Sequence, residues 1–181
     1  MTLARLTLAF LITANAGSLL WGQFKPPEGL GRGWTGELEF AARQLIALAE
    51  ATPSDKFSFR PAPGVRSTSE LYMHVAIGNY RLLAYAGVKP GGEHWPPSIP
   101  AGAEKEVTAK PDVVKWLKDS LAAVRASHAT VDGTRKVQFL GLEVPASNVL
   151  LRILVHNHEH MGQAIAYARM SGVTPPWSAG N

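Results

Sequence analysis

Residues 145–172 read PASNVLLRILVHNHEHMGQAIAYARMSG, and the fold is decided by what this stretch can form. A proline opens it, Gly172 closes it and Pro175-Pro176 lie beyond, so the spacing predicts one long helix from about Pro145 to Ser171. Each helical residue advances about 100°, which places His156 and His160 about 40° apart on one face, one turn above the other. His158 points about 200° away from His156 and cannot join them. Leu150, Leu154, Met161 and Ile165 give this helix a second apolar side, from which a contact with another subunit, a homodimer, is expected.

Working back from there, Pro111 to about Thr130 carries Val113, Val114, Leu117, Leu121 and Val124 at helical spacing. VQFLGLEV, residues 137–144, is left irregular, because one strand cannot make a sheet. Ser67-Thr68-Ser69-Glu70 has the form of a capping box and starts a helix that runs to about Ala86 and stops at Gly87. Between it and the next helix, Val88 to Thr108 is rich in proline and glycine and reads as a functional lid or a plain crossover. Thr35 to Ala51 aligns Leu38, Ala41, Ala42, Leu45 and Leu48 on one stripe. Four helices without βαβ alternation or a convincing hairpin predict an all-α four-helix bundle over residues 34–181, preceded by a linker at 23–33.

Residues 1–22 hold a single charge, Arg5, followed by an apolar run from Leu6 to Trp21. That run is shorter than the roughly 20 residues needed to span a bilayer, so a signal peptide is expected, and with it export to a periplasmic or extracellular space. No stable membrane span is expected once it is removed. The remaining chain has no cysteine, which excludes disulfides, thiolate metal clusters and a cysteine nucleophile. Among 181 residues the formal net charge is +4, with lysine and arginine scattered singly, and no nucleic-acid partner is expected.

Histidine must therefore carry any metal chemistry. His74 lies in the middle of the helix opened by Ser67, among Leu71, Val75, Ile77 and Leu82. Alone it reads as a hydrogen-bonded core residue; facing His156 and His160 it completes a three-histidine site for a divalent ion. Three imidazoles leave a fourth position for water or substrate, the composition of an open site. Zinc is the first expectation, with nickel, iron or manganese as alternatives. Glu70, one turn before His74, is a candidate general base, although the helix cap claims the same carboxylate. Gln163 and Tyr167 fall at about −20° and +20° from His156 and are candidates to support the ligands or contact substrate. His94-Trp95 stands as a candidate rim of the pocket, and His128 and His158 as surface or packing residues. A zincin motif is absent, because Gly162 stands where its second histidine would be.

The runs FSFRPAPGVRSTSELYMHVAIGNY, with His74, and HNHEHMGQAIAYARMSGVTPPWS, with His156 and His160, resemble the two signature segments of the DinB family of DinB/YfiT-like metalloenzymes. The usual histidine-Arg-Gly-Gln is here His160-Met161-Gly162-Gln163, which keeps the ligand and removes a cation. The resemblance implies an up-down-down-up bundle, with the long loop as crossover and a divalent ion on the three histidines. Relatives include transferases and an isomerase that use low-molecular-weight thiols. The expectation is an extracytoplasmic metal-dependent hydrolase or transferase acting on a small molecule of unknown identity. The competing expectation is a non-catalytic binding module with a structural metal or none.

Overall fold

A computed structural model describes residues 27–178 of the chain; the expected signal peptide lies outside the described residues. Four long helices dominate: α1 (Gly33–Ala51), α2 (Thr68–Tyr85), α4 (Lys110–His128) and α5 (Ala146–Met170), with a single-turn α3 (Ala103–Glu106) inside the crossover. α1 and α2 each pack against both α4 and α5, so the four long helices surround one core.

The apolar stripes explain this arrangement. Leu38, Ala42, Leu45 and Leu48 of α1 meet Leu71, Met73, Val75 and Leu83 of α2, Val113, Leu117, Leu121 and Val124 of α4, and Val149 and Ile153 of α5. All are buried, as the three- and four-residue spacing demands. The cap of α2 forms as the motif predicts: the Ser67 hydroxyl accepts from the Glu70 amide and the Glu70 carboxylate accepts from the Ser67 amide at 3.0 Å.

Two expectations need correction. The stretch left irregular is an antiparallel hairpin, β1 (Lys136–Phe139) paired with β2 (Leu142–Pro145). Its two-residue turn has positive φ at both Leu140 (51°) and Gly141 (84°), the backbone that a tight hairpin requires. Leucine is an unusual residue there, so the local turn signal is missing. Packing compensates: Val137, Phe139 and Val144 lie against the core, and Phe139 sits edge-on to Tyr85 at 5.3 Å. The crossover from Val88 to Thr108 is not wholly irregular either, since α3 packs on α2.

The second apolar side of α5 is used within the chain. Leu150 is buried, and Leu154, Met161 and Ile165 pack against the core. Leu151 and Val155 are the large apolar residues of α5, apart from the terminal Met170, that remain exposed. No helix among the described residues is long and apolar enough to cross a membrane.

Candidate metal centre

His74 sits at the middle of α2, and His156 and His160 lie one turn apart on α5. Because α2 and α5 pack together, the three rings converge, with centroids 5.2 Å apart for His74–His156, 4.8 Å for His74–His160 and 4.5 Å for His156–His160. One ring nitrogen from each histidine lies within 4.8 Å of the others. The Nε2 atoms of His74 and His156 are 3.3 Å apart. A tetrahedral ion about 2.0–2.1 Å from each nitrogen has ligand edges of about 3.3 Å, so this pair already stands at coordination spacing.

A missing side chain makes room for the second ring. Gly78 follows His74 by one helical turn, and a Cβ there would fall 2.9 Å from His156 Nε2 and closer still to its Cε1. Beside it, Asn157 and Asn79 are fully buried. The Asn157 amide donates to Asn79 Oδ1 at 2.7 Å and to the Ile153 carbonyl at 2.8 Å, while Asn79 donates to Ser120 Oγ at 3.2 Å. These bonds tie α2, α4 and α5 together at the level of His156.

Neighbouring acceptors orient the other two rings. His74 Nδ1 lies 3.1 Å from Glu104 Oε2, and Arg66 Nε donates to Glu104 Oε1 at 2.7 Å. Burial tends to raise the Glu104 pKa, but hydrogen bonds from Arg66 and His74 outweigh it and hold the carboxyl below its ordinary value. Burial pushes His74 below the usual histidine range despite the raising effect of Glu104, so the ring is neutral near pH 7. A neutral His74 that donates from Nδ1 to Glu104 keeps a bare lone pair on Nε2. His160 Nδ1 likewise meets Gln163 Oε1 at 2.9 Å, and Gln163 Nε2 donates to Tyr167 Oη at 3.1 Å. His156 is pushed down to about 3, first by burial and then by the two other histidines. Its Nδ1 is buried without a hydrogen-bond partner.

This donor set fits a cation. His74 turns its unprotonated Nε2 toward His156, and His160 offers one ring nitrogen to the same place. A hydrogen on His156 Nε2 could satisfy only one of those lone pairs, whereas a divalent ion satisfies all three rings.

The remaining sequence candidates separate clearly. Gln163 and Tyr167 continue the His160 chain, and the Tyr167 ring also stands edge-on to Phe59 at 6.2 Å. Glu70 is committed elsewhere: Arg60 grips both its oxygens, at 2.7 and 2.8 Å, and the cap takes one of them. The Arg60 hydrogen bond holds its carboxyl below the ordinary value, which suits a structural anion better than a base. His94 does not rim the histidine cluster; its carbonyl accepts from Tyr80, and Trp95 packs on the Tyr80 ring. His128 stacks on Trp34 at 3.8 Å, and His158 lies between the Leu154 carbonyl and Glu37. Sequence reasoning missed Glu104, Gly78 and the asparagine pair. Glu104 lies 30 residues from His74, on the single-turn α3 inside the crossover and beyond the periodicity of α2, whereas Gly78 could have been suspected from its place one turn after the histidine.

A cleft of about 700 Å³ adjoins the cluster, lined in part by Arg60, Arg66, Glu70, Glu104, Lys105 and Gln163. Two of these, Glu104 and Gln163, are the groups that orient His74 and His160.

The fold has counterparts among solved structures. None of the curated proteins matches this chain. Among solved structures, it is similar to a DinB-like protein from Bacillus cereus ATCC 10987, with 20% identity, a TM-score of 0.63, and coverage of 78% of this chain and 94% of that one. A DinB-like protein (YjoA) from Bacillus subtilis is similar at 19% identity and a TM-score of 0.58, covering 78% of this chain and 92% of that one. At such identities the likeness speaks for the fold alone. The family model of the DinB superfamily matches residues 37–164, which run from within α1 through most of α5 and include all three clustered histidines, and the chain therefore belongs to the DinB superfamily.

Proposed function

We propose that the protein binds one divalent metal ion through His74, His156 and His160 and acts on a small molecule as a metal-dependent hydrolase or transferase. The observation that carries this reading is the convergence of three imidazoles, two of them with Nδ1 held by Glu104 or Gln163, around one point. Zinc is the first choice of metal, with nickel, iron or manganese as alternatives. When bound, such an ion supplies Lewis-acid chemistry, polarising an oxygen or lowering the pKa of a group beside it. The chain's own residues do the rest. Glu104 keeps the His74 ring in one tautomer, Gln163 does the same for His160, and the buried Asn79–Asn157 pair sets the register that brings α2 and α5 together.

The reading extends to the whole chain. Residues 1–22 are a signal peptide, residues 23–33 a linker, and the protein works outside the cytoplasm. Residues 34–181 form an up-down-down-up four-helix bundle, and two copies associate through α5, where Leu151 and Val155 are exposed.

Elemental analysis of protein purified without an affinity tag tests the core of the proposal. A single divalent ion per chain is expected, lost in His74→Ala while the far-ultraviolet circular dichroism stays helical. Metal-free wild-type protein after exposure to zinc, nickel, iron and manganese would overturn it. Global unfolding of His74→Ala would instead favour a structural ion in a non-catalytic module.

A further inference from the structure

The cleft beside the histidines carries more positive than negative charge, and its cations are not equally available. Arg60 spends its guanidinium on Glu70 and on the Val65 carbonyl. Arg66 spends only Nε, on Glu104, and its two terminal nitrogens make no hydrogen bond among the described residues. Lys105 makes no side-chain hydrogen bond or ion pair among the described residues, although it lines the cleft and its charge acts on Glu70 there. Arg60 and Glu70 neutralise each other, as do Arg66 and Glu104. Lys105 therefore leaves one uncompensated positive charge in a concave site, where the field is concentrated.

Position matters as much as charge. Lys105 is the neighbour of Glu104 on α3, and Glu104 is held from two sides, by Arg66 at 2.7 Å and by His74 at 3.1 Å. The same turn of the crossover thus orients a candidate ligand and places an ammonium at the cleft. We propose that this cleft takes a small anionic molecule by its carboxylate or phosphate group, bound by Lys105 and the terminal nitrogens of Arg66, with its reacting end turned toward the histidines. The unused edge of a guanidinium is suited to a planar or tetrahedral oxyanion, and an ammonium adds a point charge without directional demand. The direction of the reacting end rests on the histidines being the metal site; the anion contact itself does not.

Isothermal titration calorimetry of the zinc-treated full chain with inorganic phosphate, and separately with succinate, tests the proposal and distinguishes the two kinds of acid group. Saturable binding of at least one probe is expected, weakened about tenfold or more in Lys105→Gln and largely restored in Lys105→Arg, with metal content equal in all three proteins. His74→Ala separates an anion in the cleft from one resting on the ion, and should retain Lys105-dependent binding. Equal affinities of wild type and Lys105→Gln would overturn the proposal, as would no binding of either probe at millimolar concentration. Loss of binding in His74→Ala alone would also overturn it. Lys105-dependent binding by a protein that takes up no metal would leave the anion site standing and remove the three-histidine reading.

Discussion

The Nε2 atoms of His74 and His156 lie 3.3 Å apart although the residues are 82 positions apart in the chain. Nothing local to either residue produces that distance. It follows from how α2 seats on α5, which depends on a glycine that yields space, an asparagine pair that sets register and a carboxylate that arrives from the crossover.

The carboxylate is the most direct test of this dependence. Glu104→Gln preserves shape but removes the charge facing His74 and the ion pair with Arg66. Metal affinity, measured by competition with a chelator, should fall about 10- to 100-fold while helical content is unchanged. An unchanged affinity would show that Glu104 serves only to anchor Arg66.

Gly78→Ala sets two effects of opposite sign against each other. Helix propensity alone favours alanine by about 1 kcal/mol. The added Cβ, however, meets the His156 ring inside van der Waals contact. Overpacking of this kind costs about 1–3 kcal/mol, so a net loss of stability is expected, together with loss of metal as the ring is displaced. Thermal denaturation and metal analysis read the two separately; a higher Tm with metal retained would contradict the argument.

The asparagine pair should behave as one unit. Asn157→Ala leaves the Asn79 amide buried beside a cavity, without the partner at 2.7 Å. A cost of about 1–3 kcal/mol in urea unfolding is expected from the orphaned polar group. Metal affinity should weaken as well, because register between α2 and α5 is loosened. Simultaneous replacement of Asn79 and Asn157 by leucine should recover stability more than metal binding.

Acid should destabilise the metal-free protein in a defined window. Burial holds His156 at about 3 against an ordinary value of 6.5. Between those values the unfolded chain binds a proton that the folded chain refuses, so stability is complete above the ordinary value and is lost as pH falls toward 3. His74 is displaced in the same direction by burial. For His156 the slope should steepen toward a limit of about 1.4 kcal/mol per pH unit as pH falls from about 7.5 to about 5, read from urea midpoints. A flat profile over that range would mean that the ring is hydrated.

The amino-acid sequence by itself determined the four long helices, the Ser67–Glu70 cap, the shared face of His156 and His160 and the inward position of His74. Each of these rests on interactions within a few residues or on a 3.6-residue period, and such signals survive without knowledge of the partner surface. Only the tertiary structure decided that Glu104 reaches His74, that the space left by Gly78 is filled by the His156 ring, that Glu70 is consumed by Arg60, and that residues 136–145 pair as a hairpin around a leucine with positive φ. In each of these the controlling energy comes from chain segments brought together by packing of the core, and neither side carries a pattern that names the other.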